Sequence, residues 1–345
     1  MSTHGAAEDR GPRVSVAVIS YNTRDILRRC LASLLSESPR ELVVADNGSS
    51  DGSIEMVRSE FPTVRLVVDA SNPGYGAASN RAIAECASPF VLLLNADTIL
   101  SAGTLSALVC YMDAHPRVGL AGPRLLNADG SLQRSCYAFP STTFLLVEHS
   151  PLRSFAALVP SARRHFFIGW PHDRARAVPW VLGAALMIRR EAFDAIDGFD
   201  PSFHMYYEEV DLAYRMAAAG WETHFAPVAD VTHLGGASTS AVWMPMKVRN
   251  FRSLVQFGAR HFSMLSLGRL IATLNLLVLV KLALDVLQRT RTHDPERRQR
   301  LDEQITLWRR VAAVGFLREA LAVRHGAGRN QRETTQTARG VGARA

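Results

Sequence analysis

A chain of 345 residues, 48% hydrophobic and 21% charged, is long enough to bury a large core, and its composition argues against disorder over most of its length. Its net charge of +7 is a tail property: from Arg289 onward 13 arginines stand against 6 acids, and the remainder is neutral. That distribution argues against nucleic-acid binding, which needs a basic face on the fold itself.

Val14 to Tyr21 (VSVAVISY) is β-rich, and a helical pattern runs from Arg24 to Leu35. Glu41 to Asp46 is a second strand, closed by the turn cluster Asn47-Gly48-Ser49-Ser50-Asp51-Gly52 and followed by a helix to Ser59. Val64 to Val68 is a third strand. The loop Asn72-Pro73-Gly74-Tyr75-Gly76 then enters a helix through Cys86, and Phe90 to Leu94 is a fourth strand. Strands alternating with helices on short loops predict a doubly wound α/β fold, a parallel sheet with helices on both faces. Ligands bind such sheets at the carboxyl ends of the strands, where Asp46, Asn72 and Asp97 would share one crevice. A helix from Thr104 to Ala114 and a strand from Val118 to Leu126 follow. Residues 140–178 show no clear period and read as loops and short helices. Trp180 to Arg189 resumes the sheet, a helix starts at Glu208, and Glu222 to His233 supplies a strand and a loop.

Leu265 to Leu287 is strongly apolar but carries Arg269, Lys281 and Asp285. The uninterrupted part, between Arg269 and Lys281, falls short of the ~20 residues that span a bilayer. It reads as an amphipathic helix lying on a membrane or packed on the domain. The expected organisation is a disordered N-terminus (1–13), a main domain (14–262, with halves 14–126 and 127–262), a C-terminal helical extension (263–325) and a disordered tail (326–345). The N-terminus shows no apolar signal segment. Cys30, Cys86, Cys110 and Cys136 form no CxxC pair, and the first three fall in helix-like segments. Buried free thiols in a reducing cytosol fit this better than a disulfide framework.

Four clusters could carry chemistry. Glu208-Glu209-Val210-Asp211 sets three carboxylates at a helix N-terminus, with Leu212, Met216 and Tyr214 toward a core; taken alone, simple first-turn capping is the commoner reading of such a block. Asn95-Ala96-Asp97 leaves a buried strand, and Asp97 is either a carboxylate ligand for Mg2+ or Mn2+ or a turn cap. His233, before Gly235 and Gly236, is a second candidate ligand, with His224 and His204 as weaker ones. Asp46 to Asp51 offers acceptors for a base edge, or is simply an Asx-rich turn. No GxxxxGKS/T loop is present, and no GxGxxG follows the first strand.

The ordered set VSVAVISYN, VVADNGSSDGS, NPGYGAASNRA, FVLLLNADT, GPRLLNADGSLQ, WVLGAALMIRREAF, GFDPSFHMYYEEVDLAYR and HLGGAS resembles the family 2 glycosyltransferases, in particular their bacterial rhamnosyltransferase-like branch. The resemblance covers Val14 to Phe262. It implies a GT-A-type, Rossmann-like fold, a nucleotide-sugar donor, a divalent cation and inversion at the anomeric carbon. By the same resemblance Asp46 contacts the pyrimidine base, and Ser20, Asn22, Asn47, Asn72, Gly74, Asn80 and Asn95 belong with it to the donor site. Asp97 and His233 hold the metal, with Asn95 in place of the first acid of a DxD-type motif. Glu209 stands where the family commonly has an aspartate as general base, and Glu208 is the alternative base. Trp180, Gly183 and Asp211 border the acceptor side, although Asp211 also suits a structural bond and Trp180 a core role. The branch implies dTDP-rhamnose as donor and a saccharide or lipid-linked saccharide of the cell envelope as acceptor. Mannose, galactofuranose, glucose and N-acetylhexosamine donors remain alternatives, and Asn95 and Glu209 keep open a catalytically silent homologue. A nucleotidyltransferase would carry a Gly-rich basic loop where this chain has Ser20-Tyr21-Asn22-Thr23. The apolar helix and arginine-rich end fit either peripheral contact with anionic lipid at the cytoplasmic leaflet or a helical pair packed on the core.

Overall fold

The alternation of apolar residues in the first strand explains the layered core. β1 (Val14–Ser20) is buried along its whole length. Val14, Val16 and Val18 enter one apolar cluster with Leu27 and Leu31, while Ala17 and Ile19 enter another with Ala78 and Ala82. A strand covered on both faces is what a doubly wound sheet requires. The computed structural model describes residues 13–142, 158, 160–235 and 243–325. The chain divides into two compact units, Met1–Phe139 with Arg164–Ala241 and Pro140–Arg163 with Val242–Ala345.

In the first unit the strands are β1, β2 (Leu42–Asp46), β3 (Arg65–Val68), β4 (Phe90–Asn95), β5 (Thr98–Leu100), β6 (Val118–Leu126), β7 (Leu132–Gln133), β8 (Cys136–Tyr137), β9 (Arg176–Ala177), β10 (Trp180–Val181), β11 (Ala185–Arg189) and β12 (Glu222–His233). The helices are α1 (Arg24–Leu35), α2 (Ser53–Glu60), α3 (Tyr75–Ala84), α4 (Thr104–Ala114), α5 (Pro160–His165, across the boundary of the units), α6 (Arg190–Asp194) and α7 (Glu208–Ala218). α1 buries Leu27, Cys30, Leu31 and Leu34, the 3–4 spacing of one helical face. The main sheet runs β3-β2-β1-β4-β11-β6-β12-β5, with β7 beside β6 and β9 beside β12. β1, β2, β3 and β4 are mutually parallel, and so are β6 and β12. β11 lies antiparallel between β4 and β6. Two antiparallel steps restore direction, so β12 ends on the same edge of the sheet as β1, β2 and β4.

Three expectations are corrected. The run from Trp180 to Arg189 is not one strand: Trp180–Val181 pairs with β8 in a separate two-stranded sheet, and only Ala185–Arg189 joins the main sheet. β5, three residues long, was not anticipated. Cys110 is exposed on α4, whereas Cys30, Cys86 and Cys136 are buried free thiols, and Cys86 lies beyond the end of α3. The expected disordered ends, 1–13 and 326–345, lie outside the described residues except for Arg13, which pairs with Asp113 at 2.8 Å.

The second unit contains α8 (Trp243–His261), α9 (Met264–Arg291) and α10 (Pro295–Ala313). Ser263 caps α9 by accepting from the Ser266 N–H at 3.3 Å; Asp294 caps α10 by accepting from the Glu296 N–H at 3.1 Å, with Pro295 in the first turn. α8, expected from the sequence to belong to the main domain, falls with these helices. α9 buries Leu267, Leu270, Ile271, Leu274, Leu277 and Val278. Asp285 is buried with them and accepts from Trp308 Nε1 of α10 at 3.0 Å. Leu276, Leu279, Val280, Leu284, Val286 and Leu287 remain exposed. At 28 residues α9 as a whole is, by length and composition only, long and apolar enough to cross a membrane, although the uninterrupted apolar stretch between Arg269 and Lys281 is shorter than a span.

Candidate active site

Strand register assembles the donor side. Ser20 pairs with Asp46, Ile19 with Asn95 and Asp46 with Val68, so the carboxyl ends of four strands lie in step. Asp46 is 1% exposed; its two oxygens accept from the Ser49 N–H and the Ser49 hydroxyl, both at 2.7 Å. Asn22, at φ 51°, crosses to the same turn: its N–H donates to Ser49 Oγ and its Oδ1 accepts from the Ser50 N–H, each at 2.8 Å. Ser20 Oγ lies 3.4 Å from Thr23 Oγ1. Asn47 is buried, its Nδ2 reaches the Gly74 carbonyl at 3.5 Å, and its Oδ1 has no hydrogen-bond partner. Asn72 takes a left-handed conformation, φ 47°, in the loop before Gly74.

Gly74 and Asn80 fasten that loop to the approach of the acidic helix. At Gly74 (φ +97°) a Cβ would meet the His204 carbonyl oxygen at 2.1 Å, so no side chain fits. The Tyr75 N–H donates to that carbonyl at 2.9 Å. The Asn80 amide takes both polar groups of Phe199, accepting from its N–H at 2.9 Å and donating to its carbonyl at 2.8 Å.

β5 folds back along the end of β12, pairing Thr98 with His233, and the Leu234 N–H donates to the Asp97 carbonyl at 2.9 Å. This brings His233 Nε2 to 3.3 Å from Asp97 Oδ1, with both side chains nearly buried. His233 Nδ1 lies 2.7 Å from Gln133 Oε1. Asn95 is engaged through its backbone, its N–H donating to the Ala184 carbonyl at 3.0 Å and its carbonyl accepting from Thr98 Oγ1 at 2.8 Å. Among the described residues no three His, Cys, Asp or Glu side chains gather as a metal cluster. One carboxylate and one imidazole facing each other are a donor set for a cation that completes its shell with substrate phosphate, as Mg2+ and Mn2+ do. His224, held by the Tyr111 hydroxyl at 2.7 Å and by Glu222 at 2.9 Å, does not join them, and His204 contributes a backbone oxygen. Gly236, in the glycine pair after His233, lies outside the described residues.

The acidic block opens α7 immediately after Tyr206 and Tyr207, both at positive φ (67° and 69°), a costly backbone for bulky residues. Glu208 and Glu209 each bury an Oε2 with no hydrogen-bond partner. Burial raises both carboxyls above the ordinary range, and the Glu209 charge raises Glu208 further. Their settings differ: backbone N–H groups of Glu209, Gly183 and Val210 support the charged form of Glu209, while Glu208 has only its own. Asp211 is tied to Arg215 at 2.7 Å, and Arg215 also donates to the Ile196 and Gly198 carbonyls at 2.7 Å. Leu212 and Met216 are buried, and Tyr214 is half-buried against Phe139. A Cβ at Gly183 would lie 3.6 Å from Glu209. Trp180 donates Nε1 to the Ala138 carbonyl at 3.0 Å, with its ring 5.0 Å from Tyr137.

Tyr75 ties the two sides together. Its hydroxyl donates to the Gly183 carbonyl at 2.8 Å. Burial holds its pKa well above the ordinary phenol value, and Glu208, Glu209 and Asp97 all push the same way. Tyr75 therefore links α3 to Gly183, the residue that lies beside Glu209. Tyr75 and Gln133 sit inside the quoted motifs, but nothing in the sequence alone gives either a role.

A profile described as glycosyltransferase-like family 2 matches residues 12–253. The N-acetylglucosaminyl-diphospho-decaprenol L-rhamnosyltransferase of Mycobacterium tuberculosis is 33% identical over 241 residues, covering 65% of this chain and 76% of that protein. Rhamnosyltransferase WbbL of Escherichia coli is 18% identical over 239 residues, covering 64% and 83%. Among solved structures, the mannosyltransferase PcManGT from Pyrobaculum calidifontis, in complex with GDP-Man and Mn2+, has a TM-score of 0.51 at 19% identity, covering 88% of this chain and 87% of that one. The sheet order, the helices on both faces and that likeness identify a GT-A-type fold. The chain belongs to the family 2 glycosyltransferases and is an enzyme that transfers a sugar from a nucleotide-sugar donor.

Proposed function

We propose that this enzyme transfers L-rhamnose from dTDP-L-rhamnose to a hydroxyl of a lipid-linked saccharide in cell-envelope polysaccharide synthesis, inverting the anomeric centre. The donor sugar is argued from the two rhamnosyltransferase relatives. The chemistry is argued from one observation, that the Asp97 carboxylate faces the His233 imidazole at 3.3 Å while α7 opens on the buried carboxyls of Glu208 and Glu209. Glu209 takes the proton of the acceptor hydroxyl while the acceptor oxygen bonds to the anomeric carbon. The bond from that carbon to the diphosphate oxygen breaks on the opposite face. Glu209 is the better base of the pair because backbone N–H groups support its charged form, whereas burial and the Glu209 charge push Glu208 further toward its neutral form. Asp97 and His233 would hold Mg2+ or Mn2+, which when bound supplies positive charge to the departing diphosphate. Asp46 and its neighbours receive the base and sugar of the donor, and Trp180 and Gly183 border the acceptor.

On the same reading the enzyme works at the cytoplasmic face of the membrane. The exposed leucines and valines of α9 contact lipid, and the arginines from Arg289 onward answer acidic headgroups. The test is transfer to a polyprenyl-diphospho-N-acetylglucosamine acceptor from a panel of nucleotide sugars, with and without Mn2+. Release of dTDP with formation of a rhamnosyl product, dependent on metal, is the expected result. Product from GDP-mannose or a UDP-sugar in place of dTDP-rhamnose overturns the donor assignment. Flotation with acidic-lipid vesicles tests the location; protein that stays unbound at low salt overturns it.

A further inference from the structure

His233 leans on Gln133, and the hydrogen-bond network around Gln133 leaves only one assignment of its amide. The network is anchored at Asp129, whose carboxylate only accepts. It accepts from the Ser131 hydroxyl at 2.6 Å and from the Ser131 N–H at 2.9 Å. Having given its proton to Asp129, the Ser131 oxygen must accept from Asn127 Nδ2 at 2.9 Å. Asn127 Oδ1 therefore faces Gln133, and accepts from its Nε2 at 3.0 Å. The same Nε2 lies 3.3 Å from the His233 carbonyl oxygen, which also only accepts. Gln133 Oε1 is then the atom 2.7 Å from His233 Nδ1, and Nδ1 must carry the hydrogen. In the neutral ring Nε2 is left bare, 3.3 Å from Asp97 Oδ1. Two electron pairs facing at that distance repel unless a proton or a metal cation is held between them. The relay is built into the hairpin joining β6 and β7, closed by the Asn127 N–H to the Ser131 carbonyl at 2.8 Å and by Gly130 at φ +80°.

We propose that Gln133, anchored through Asn127 and Ser131 to Asp129, is a positioning residue that fixes the Nδ1–H tautomer of His233 and so reserves Nε2 for a divalent cation. The proposal rests on the metal assignment above but not on the sugar transferred. Partners of this kind around a ligating imidazole are worth about 10- to 100-fold in metal affinity. The experiment is long-range proton–nitrogen NMR of metal-free protein labelled at histidine, about two pH units above the ordinary imidazole value of ~6.5. The His233 signals are identified by their loss in His233→Ala. Wild type is expected to show Nδ1–H. Gln133→Leu should show Nε2–H, and Gln133→Glu, which keeps an acceptor, should restore Nδ1–H. Mn2+ binding with dTDP, read by electron paramagnetic resonance, should weaken about 10-fold or more in Gln133→Leu and recover in Gln133→Glu. Should Gln133→Leu fail to fold, Ser131→Ala on the exposed hairpin takes its place, with Nε2–H appearing in part. Nε2–H in wild type, or an unchanged tautomer in Gln133→Leu or Ser131→Ala, overturns the proposal. The tautomer is read without donor, acceptor or turnover, so a protein that transfers another sugar refutes the rhamnose reading and leaves this one standing.

Discussion

Replacing Glu209 by Gln and, separately, Glu208 by Gln separates a base from its neighbour. Loss of a positioned general base costs 10²- to 10⁴-fold, about 3–5 kcal/mol in the barrier. Glutamine at 209 keeps the shape and an oxygen for the Gly183 N–H, so donor and metal binding should survive while transfer falls by that factor. Glu208 is buried, its Oε2 lacks a partner, and the Glu209 charge presses it further toward the neutral form. The Glu208→Gln amide would imitate the neutral form toward which burial and the Glu209 charge push Glu208, so transfer should stay within about tenfold of wild type. The pH dependence follows from the same directions. A raised Glu209 pKa means that the base protonates, and the rate falls, at a pH above the ordinary carboxyl value of ~4.3. For stability, a carboxyl raised in the folded state contributes fully below its unfolded value and loses that contribution as pH rises through the folded value. Glu208→Gln should therefore melt at a higher temperature than wild type near neutral pH, and the gap should close toward pH 4. The assays are kcat/KM against pH, calorimetric titration of nucleotide with Mn2+, and melting scans. If Glu208→Gln loses more transfer than Glu209→Gln, the assignment of the base is refuted.

Gly74→Ala forces a Cβ onto the His204 backbone at a positive φ, and should cost about 3 kcal/mol or more with loss of activity, read as a lower urea midpoint; an unchanged midpoint would show that the two loops do not touch in solution. Asn80→Ala removes bonds to both polar groups of Phe199 and should destabilise by about 2–4 kcal/mol, with Asn80→Asp intermediate because it keeps the acceptor. In native protein a maleimide should label Cys110 alone; burial puts Cys30 and Cys136 at about 12 and Cys86 at about 11, so these react only on unfolding, and a second fast thiol contradicts the packing.

The first hundred residues are legible because local signals and tertiary burial agree there. Each strand is a short apolar run, each helix has a 3–4 spacing, and the loops between them are marked by Gly, Pro and Asn. The break inside WVLGAALMIR was hidden because burial is nearly continuous from Val181 to Ile188 although two different sheets receive it. β5 is defined only by its pairing with β12, more than a hundred residues later, which no local pattern can announce. The candidate site divides along the same line. Carboxylates, asparagines and the histidine are visible as residue types, whereas Tyr75 and Gln133 matter through contacts with Gly183 and His233, each 100 or more positions away. Asn80 shows the reverse: its motif suggests a ligand contact, and its amide is taken up by the Phe199 backbone.

The antiparallel position of β11 has a consequence for how this protein is made. One side of β4 is covered by β1 as soon as the first 95 residues exist, but its other side waits for Ala185–Arg189. At 5–20 residues per second the ribosome takes roughly 5–20 s to deliver that strand. For that interval the nascent chain carries an apolar strand with an open ladder of N–H and C=O groups, a template for pairing with any other chain. Fragments ending between about residue 100 and residue 180 should therefore aggregate or bind chaperones, and the hazard should end only once β12 has also covered β6, in chains extended past His233.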